Sequence, residues 1–281
     1  MRPMLSTEDH RRDSAGLRYV YPVVSRRAGG VSVGINLNVN NACNWACVYC
    51  QVDNLTRGGP PPVDLDCLEQ ELSGFLQDVL FGNFMQEHVS EEARHLVDIA
   101  FSGNGEPTSA TEFEAVVGIV ANLLKKFDLY GKLPVRLITN GSLLHRASVQ
   151  SAIRQLGEMA GEVWFKIDRG NSSDVAQVNG VELDMQKVQR NLECCAALCP
   201  TWVQTCWFAC DGEVPTGASI DAYCQLLKPF AGQLAGIHLY GLARPSLQPA
   251  ANRLGRMSAE SMTSVAASIQ NKTGIRVIVS P

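Results

Sequence analysis

Residues 31–50 read VSVGINLNVNNACNWACVYC. The first nine residues alternate between apolar and polar side chains at a period of two, which is typical of a strand with one covered face. This strand runs directly into Cys43, Cys47 and Cys50, which are separated by three and then two residues. The stretch therefore predicts a strand that carries a thiol-rich loop at its carboxyl end.

A strand followed by a glycine turn and a helix recurs along the rest of the chain. An apolar run at 96–101 ends in a glycine-rich turn, and Thr111 with Glu114 opens a helix through about Lys126. Alternation of this kind favours an α/β fold with a parallel sheet. Further strands are predicted at 135–139, 163–167, 201–208, 237–242 and 275–279, and further helices at 66–80, 146–156, 184–198, 219–230 and 258–271.

About six such units predict the domain organisation. We expect a single domain over residues 1–281, in which the strands curl into a partial (β/α)6 TIM-like barrel. Its core would cover about 31–270, and residues 1–30 would form an N-terminal extension.

The composition is that of an ordinary globular protein. Hydrophobic residues make up 46% of the 281 residues and charged residues 19%, which excludes a disordered chain. The net charge of −4 argues against a strongly basic surface for nucleic acid. The apolar stretches fall short of the ~20 residues that span a membrane, and the first residues lack an export signal. We therefore expect a cytoplasmic protein without a membrane segment.

The ten cysteines need an explanation other than disulfides, because the cytoplasm keeps thiols reduced. Three closely spaced thiolates are soft ligands that suit zinc or an iron–sulfur cluster. On a four-iron cluster, three cysteines leave one iron without a protein ligand, and that iron is open to chemistry. The alternative is a structural zinc site that Cys67 or His88 completes. The spacing alone leaves both possibilities open.

A second motif, Ser-Gly-Asn-Gly-Glu-Pro-Thr, occupies residues 102–108. Gly103 and Gly105 allow the backbone to approach a ligand without interference from a Cβ atom. Pro107 favours an extended backbone at Glu106, so its carboxylate would project from the strand end, where it could meet an ammonium group. An ordinary turn with a solvated acid is the alternative interpretation.

In this order, the two motifs resemble the signature of the radical S-adenosylmethionine (SAM) superfamily. The cysteine loop, residues 43–50, follows the first predicted strand and has an aromatic residue, Tyr49, before its third cysteine. The glycine-rich stretch that ends in Glu-Pro follows the second predicted strand. The resemblance implies that Cys43, Cys47 and Cys50 are the metal ligands and catalytic residues of a [4Fe–4S] cluster. It also implies that SAM is bound by Tyr49, Gly103, Asn104, Gly105 and Glu106.

Further candidates follow from the rule that sites in parallel α/β folds lie at the carboxyl ends of strands. The resemblance implies contacts there to the ribose, carboxylate and adenine of SAM, which we assign to Asn140, Asp168 and Gln204. The alternative is that each polar group is satisfied within the fold. Other residues at these strand ends are Thr139, Lys166, Tyr240 and Gly241.

Two stretches are similar to one branch of the superfamily. ITNGSLL at 138–144 and HLYGLARPS at 238–246 resemble the tRNA wybutosine-synthesis radical enzymes and their small relatives. An amino-terminal cysteine cluster, a flavodoxin-like domain and a strongly basic face are not visible here. A tRNA substrate is therefore possible but not favoured.

Five of the remaining cysteines crowd together and suggest an auxiliary cluster: Cys194, Cys195, Cys199, Cys206 and Cys210. In a helix, however, Cys195 and Cys199 fall on the apolar face while Cys194 lies on the opposite side, so one helix cannot direct all three at one metal. Burial as small apolar side chains is the favoured alternative. Three arginines after the 237–242 strand could recognise an anionic substrate or lie in a solvated loop: Arg244, Arg253 and Arg256.

The resemblance implies an enzyme. Reductive cleavage of SAM at the cluster would give a 5′-deoxyadenosyl radical that abstracts hydrogen from a small-molecule or peptide substrate, with a flavodoxin or ferredoxin as the electron donor. Alternatives within the superfamily are modification of a tRNA base and activation of a glycyl-radical partner. A zinc-stabilised binding protein without catalysis is the alternative from a different class. The identity of the substrate, the fate of SAM and the oligomeric state stay open.

Overall fold

The computed structural model describes residues 4–5, 15–25 and 29–281. Within these ranges, the strands of four or more residues are β1 (Val20–Val24), β2 (Val31–Ile35), β3 (Leu96–Phe101), β4 (Val135–Thr139), β5 (Gly161–Lys166), β6 (Thr201–Cys206), β7 (Gly236–Tyr240) and β8 (Val277–Ser280). The α-helices are α1 (Leu65–Phe81), α2 (Phe84–His88), α3 (Phe113–Lys126), α4 (Ala147–Glu158), α5 (Ser172–Asn179), α6 (Met185–Leu198), α7 (Gly217–Leu227) and α8 (Ala259–Thr273).

The chain divides into two compact units. The first contains the described residues up to Cys43 together with Gly58–Ile138 and Arg146–Glu162. The second contains Asn44–Arg57, Thr139–His145 and Val163–Pro281.

In the first unit the strands lie in the order β1-β2-β3-β4. β1 pairs antiparallel with β2, while β2, β3 and β4 run parallel. The connecting helices bury apolar faces, and the rings of Phe101 on β3 and Phe113 on α3 meet edge to face with centroids 5.5 Å apart. The Asp64 side chain begins α1 by accepting a hydrogen bond from the amide of Cys67, which satisfies one of the free donors at the helix start.

In the second unit the strands lie in the order β5-β6-β7-β8, and every neighbouring pair is parallel. Side-chain caps at Asp184, Thr216 and Ser258 fix the starts of the helices that connect them. Parallel strands need such helical crossovers, so local capping signals and sheet topology agree. The carboxyl ends of β5, β6 and β7 therefore lie at one edge of this sheet.

The α/β class and the largely parallel strands confirm the coarse prediction. Residues 36–39, predicted as part of β2, are not strand. Asn36 Oδ1 accepts from the Asn38 amide at 3.1 Å, so the side chain takes a backbone donor and the strand ends at Ile35. The strand β1 and the helices α2 and α5 were not predicted.

The structure describes only part of the predicted N-terminal extension. Residues 1–3, 6–14 and 26–28 of the expected 1–30 extension lie outside the described residues. One domain over residues 1–281 stays a prediction. Among the described residues, the helices are all too short or too polar to cross a bilayer.

Candidate functional site

Residues 44–50 of the cysteine loop lie along the carboxyl end of α5 in the second unit. The Ala46 amide donates to the Asn179 carbonyl at 3.0 Å, and the Val48 amide donates to the Val178 carbonyl at 2.9 Å. Gly180 then turns the chain with φ of 64°, and a Cβ atom there would lie 2.8 Å from the Ala46 carbonyl oxygen. The close approach of loop and helix thus depends on glycine at this position.

Side chains hold the start of the same loop. Arg57 donates from Nη1 to the Asn44 carbonyl at 2.5 Å and from Nη2 to the Gly180 carbonyl at 2.6 Å. The side-chain nitrogen Nδ2 of Asn140 donates to Asn44 Oδ1 at 2.8 Å, and Asn44 Nδ2 donates to Ser142 Oγ at 2.8 Å. Asn140, predicted as a SAM contact, is therefore placed against the cysteine loop by its own hydrogen bonds.

The end of the loop is held by a second segment, 244–248, which follows β7. Ser246 Oγ donates to the Val48 carbonyl at 2.6 Å and lies 3.2 Å from the Cys50 carbonyl. The Leu247 amide donates to the Cys50 carbonyl at 3.0 Å, and Gln248 Nε2 donates to that oxygen at 3.2 Å. We call residues 244–248 the strap.

Asp168 is the centre of a buried polar cluster at the end of β5. Its side chain is fully covered, and the residue is 1% exposed. Oδ2 accepts from the Tyr49 hydroxyl at 2.5 Å and from Asn179 Nδ2 at 2.7 Å, while Oδ1 accepts from the Cys206 amide at 2.7 Å. The carboxylate is thus bound by protein donors from the cysteine loop, α5 and β6.

A lysine balances this charge. Lys166 Nζ lies 3.9 Å from Asp168 Oδ1, donates to the Tyr240 hydroxyl at 2.9 Å and lies 5.1 Å from the ring centroid of Tyr49. Burial alone would favour the neutral amine, but the Asp168 carboxylate outweighs it, and the pKa of Lys166 lies above its ordinary value. Lys166 is therefore a half-buried ammonium within reach of two phenols.

Cys47 contacts the polar cluster around Asp168. The amide nitrogen Nδ2 of Asn179 donates to Cys47 Sγ at 3.2 Å. Burial, followed by the nearby Asp168 carboxylate, raises the pKa of the Cys47 thiol to about 12. A bound metal would reverse this balance, because a coordinating thiol is deprotonated. A half-buried sulfur with an N–H donor directed at it fits a metal-bound thiolate.

The glycine-rich motif lies in the first unit, against the chain that precedes Cys43. A Cβ atom at Gly103 would lie 2.3 Å from Asn36 Oδ1, and one at Gly105 would lie 2.2 Å from the Ala42 carbonyl oxygen. The Asn104 amide donates to Asn36 Oδ1 at 3.1 Å. Both glycines are therefore required by packing within the protein, whatever ligand they meet.

Glu106 follows them with an extended backbone, as Pro107 predicted, and is 2% exposed. Its Oε1 accepts from the Thr108 amide at 3.1 Å and from the Thr108 hydroxyl at 2.6 Å. The carboxylate caps the short 3-10 helix Pro107–Ser109. Glu106 is consequently a buried, hydrogen-bonded acid rather than a solvated one.

Gln204, the last predicted SAM contact, is a buried residue of β6. It pairs in register with Lys166 on β5 and with His238 on β7. His238 stacks on Trp202 with ring centroids 4.4 Å apart. The sheet therefore brings Gln204 beside the Asp168 cluster.

The remaining cysteines have different surroundings. Cys195 and Cys199 are buried at the end of α6, and Cys206 packs with Val178, Phe208 and Leu242. Within the described ranges, no three His, Cys, Asp or Glu side chains are arranged to hold a single metal ion. A [4Fe–4S] cluster presents a different requirement, since each of its thiolates binds a separate iron.

The three arginines that follow β7 make contacts close to them in the fold. Arg253 pairs with Asp211 at 2.6 Å in an exposed ion pair, and Arg256 donates to the Ala243 carbonyl at 2.7 Å. The Arg244 carbonyl accepts from Gln51 at 3.3 Å, which ties the strap to the cysteine loop.

Sequence reasoning missed Asn179, Arg57 and Ser246. Asn179 belongs to α5, a short helix with weak amphipathic periodicity, and its bond to Cys47 spans 132 residues of sequence. Arg57 precedes a glycine- and proline-rich stretch, residues 58–62, whose composition indicates a loop but no contact with the cysteines. Ser246 lies in a stretch noted for its similarity to other proteins, and that similarity was the available signal.

Sequence comparison finds distant relatives. No family model matches the chain. It is 24% identical over 193 residues to the GTPase Obg of Brachyspira hyodysenteriae, covering 68% of this chain and 25% of that protein. It is 27% identical over 165 residues to the UPF0026 protein MJ1312 of Methanocaldococcus jannaschii, covering 58% and 44%. The chain thus spans less than half the length of each of these curated relatives.

Structural comparison shows a shared fold. A radical SAM methyltransferase from Sphaerobacter thermophilus superposes with a TM-score of 0.61 at 17% identity, over 93% of this chain and 68% of that one. SuiB from Streptococcus suis, solved with S-adenosylmethionine bound, superposes with a TM-score of 0.54 at 9% identity, over 90% and 47%. The fold of this chain is therefore that of solved radical SAM enzymes.

Proposed function

We propose that the chain is a radical SAM enzyme in which Cys43, Cys47 and Cys50 hold a [4Fe–4S] cluster. The observation that carries the proposal is the environment of Cys47, a half-buried residue whose sulfur accepts an N–H bond from Asn179. The spacing of the three thiols within eight residues supplies the ligand set, and the shared fold supports the same class. The loop is fixed from α5 and from the strap, as a pre-organised ligand set requires.

When bound, the cluster and SAM supply a 5′-deoxyadenosyl radical that removes hydrogen from a substrate. The protein's own task is to bind, orient and exclude water. We assign Gly103, Asn104, Gly105 and Glu106 to the methionine end of SAM, with the Glu106 carboxylate facing its ammonium group.

The remaining predicted contacts have two different roles in the proposal. Asn140 and Gln204 are retained as contacts to SAM at the strand ends. Asp168 acts by holding Tyr49 in place, because its oxygens already accept three hydrogen bonds from the protein. Tyr49 then presents its backbone and ring beside the third cysteine.

The proposal also includes the remaining predictions from the sequence. They are a partial (β/α)6 barrel, a cytoplasmic location, a small-molecule or peptide substrate, and a flavodoxin or ferredoxin as the electron donor. A tRNA substrate within the wybutosine-like branch and activation of a glycyl-radical partner are the competing substrate classes.

The decisive experiment is anaerobic reconstitution, with iron and sulfide counted per chain and 5′-deoxyadenosine measured after addition of dithionite and SAM. We expect about four irons per chain and formation of 5′-deoxyadenosine. The triple variant Cys43→Ala, Cys47→Ala, Cys50→Ala should lose both.

Cys67→Ala is the matched control. It should retain iron and SAM cleavage, whereas a zinc site completed by Cys67 would lose its metal. Zinc in place of iron, with SAM left intact, would contradict the proposal and favour a zinc-stabilised binding protein. Bound RNA that salt releases would direct the substrate search to tRNA, and dependence on a partner polypeptide would direct it to a glycyl-radical protein.

A further inference from the structure

We infer that Asn179 sets the reduction potential of the cluster through its hydrogen bond to Cys47. This inference rests on the proposed function. Asn179 is the last residue of α5 and is 1% exposed. Its Nδ2 lies 3.2 Å from Cys47 Sγ, within direct hydrogen-bond distance of the sulfur.

The orientation of the Asn179 amide is determined by its second contact. Nδ2 lies 2.7 Å from Asp168 Oδ2, and an ionised carboxylate only accepts hydrogen bonds. The nitrogen, and not the oxygen, must therefore face Asp168. The NH2 group has two hydrogens, so one binds the carboxylate and the other is directed at the sulfur.

The backbone around Asn179 is fixed by the same elements. Its carbonyl accepts from the Ala46 amide at 3.0 Å, one residue before Cys47. Gly180, next in the chain, is bound through its carbonyl by Arg57 at 2.6 Å. Because loop and helix end are joined at the backbone, the distance between the amide and the sulfur is set by the fold rather than by side-chain mobility.

The electrostatic consequence has a definite sign. Reduction adds negative charge to a cluster and its thiolates, and an N–H directed at a thiolate stabilises the more negative form. The buried Asp168 carboxylate acts in the opposite direction, and Asn179 stands between it and Cys47. Removing the amide therefore disfavours reduction in two ways, by loss of a donor and by exposing the sulfur to the carboxylate.

The test compares Asn179→Leu with wild type after reconstitution, by redox titration followed with electron paramagnetic resonance. We expect the ratio of reduced to oxidised cluster at a fixed potential to fall about tenfold, which for a one-electron couple is about 59 mV more negative. Asn191→Leu is the matched control. Asn191 is a buried asparagine of the same unit whose amide donates to the Gly141 carbonyl at 2.8 Å, so the potential of this variant should equal that of wild type.

The outcomes separate this inference from the proposed function. A wild-type protein without iron and sulfide contradicts the proposed function and the inference together. A wild-type cluster with equal potentials in Asn179→Leu and Asn191→Leu overturns the inference alone. If the Asn179→Leu variant does not fold, a measurement on the wild-type protein still tests the inference. With 15N in the asparagine side-chain amides, pulsed electron paramagnetic resonance should show a weak 15N coupling to the reduced cluster. Absence of that coupling overturns the inference.

Discussion

The hydroxyl of Tyr49 donates a hydrogen bond of 2.5 Å to Oδ2 of Asp168, joining two residues that are 119 positions apart in the sequence. Asp168 is buried and Tyr49 is half-buried. Desolvation of the phenol, followed by the Asp168 charge, raises the pKa of Tyr49 well above its ordinary value. The phenol is therefore a donor throughout the physiological range. This bond anchors the second half of the cysteine loop to the end of β5.

Tyr49→Phe should destabilise the protein, because it removes a donor to a buried charge. We expect the free energy of unfolding, from urea denaturation, to fall by about 2 kcal/mol. Tyr223→Phe is the matched control, since the Tyr223 hydroxyl shares a buried 2.6 Å bond with the neutral Thr205 hydroxyl. Its loss should cost about 1 kcal/mol. Equal losses of stability in the two variants would mean that the bond from Tyr49 to the Asp168 charge contributes no more than a bond between two neutral hydroxyls.

The role of Glu106 can be separated into charge and capping by Glu106→Gln. The glutamine oxygen can still accept from the Thr108 amide and hydroxyl, so the 3-10 helix keeps its cap. The lost charge should raise the Kd for SAM about tenfold or more, since each 1.4 kcal/mol is tenfold. Isothermal titration gives the Kd, and thermal unfolding shows that the fold is kept. An unchanged Kd would remove Glu106 from the SAM site.

The parts of the molecule that the sequence could predict are those with local signals. The thiol spacing, the glycine turn and the helix caps lie within a few residues of one another, and so does the alternation of strands and helices. These signals sufficed for the α/β class and for Cys43, Cys47 and Cys50 as candidates.

What the sequence could not predict depends on distant contacts or weak patterns. β1 contains Pro22, which argues against a central strand, and it lies at the edge of its sheet, where proline is tolerated. Asn179 has no motif, because its function depends on Cys47 and Asp168 being brought together. Asp168 was predicted from its place at a strand end, but its three protein donors became visible only in the fold.

The strap should control how long the cysteine loop holds iron. Ser246→Ala removes the 2.6 Å bond to the Val48 carbonyl and should cost about 1 kcal/mol. Because that changes the population of an opened loop about fivefold, iron should pass to a chelator correspondingly faster. Ser258→Ala is the control: it removes the cap of α8 and should lower stability by about 1 kcal/mol without accelerating iron loss. Equal rates in the two variants would exclude the strap from this role.

Arg136 stabilises the first unit through two carboxylates. It forms a short ion pair with the buried Asp98 and donates to Glu162 Oε1 at 2.5 Å. Arg136→Leu should lower the free energy of unfolding by about 3 kcal/mol, because the Asp98 carboxylate would stay buried without its cation. Lys132→Leu, which removes an exposed pair with Asp128, should have little effect in the same denaturation assay. A small effect of both would show that the stability of the first unit does not depend on the pair between Arg136 and Asp98.

Cys195 offers a test of the auxiliary cluster through pH. Burial raises the pKa of its thiol from the ordinary 9.0 to about 12, although the Thr201 hydroxyl, 3.4 Å from Sγ, acts in the opposite direction. Since the folded state holds this proton more tightly, the stabilisation is complete below pH 9 and is lost as pH rises toward 12.

The free energy of unfolding of wild type should therefore fall more steeply than that of Cys195→Ala between pH 9 and 12, by up to about 1.36 kcal/mol per pH unit. Urea denaturation of the two proteins at a series of pH values measures the difference in slope. An auxiliary cluster that took Cys195 as a ligand would hold it as thiolate at every pH. Parallel curves would then be found, and they would contradict the packing role that we assign to this buried thiol.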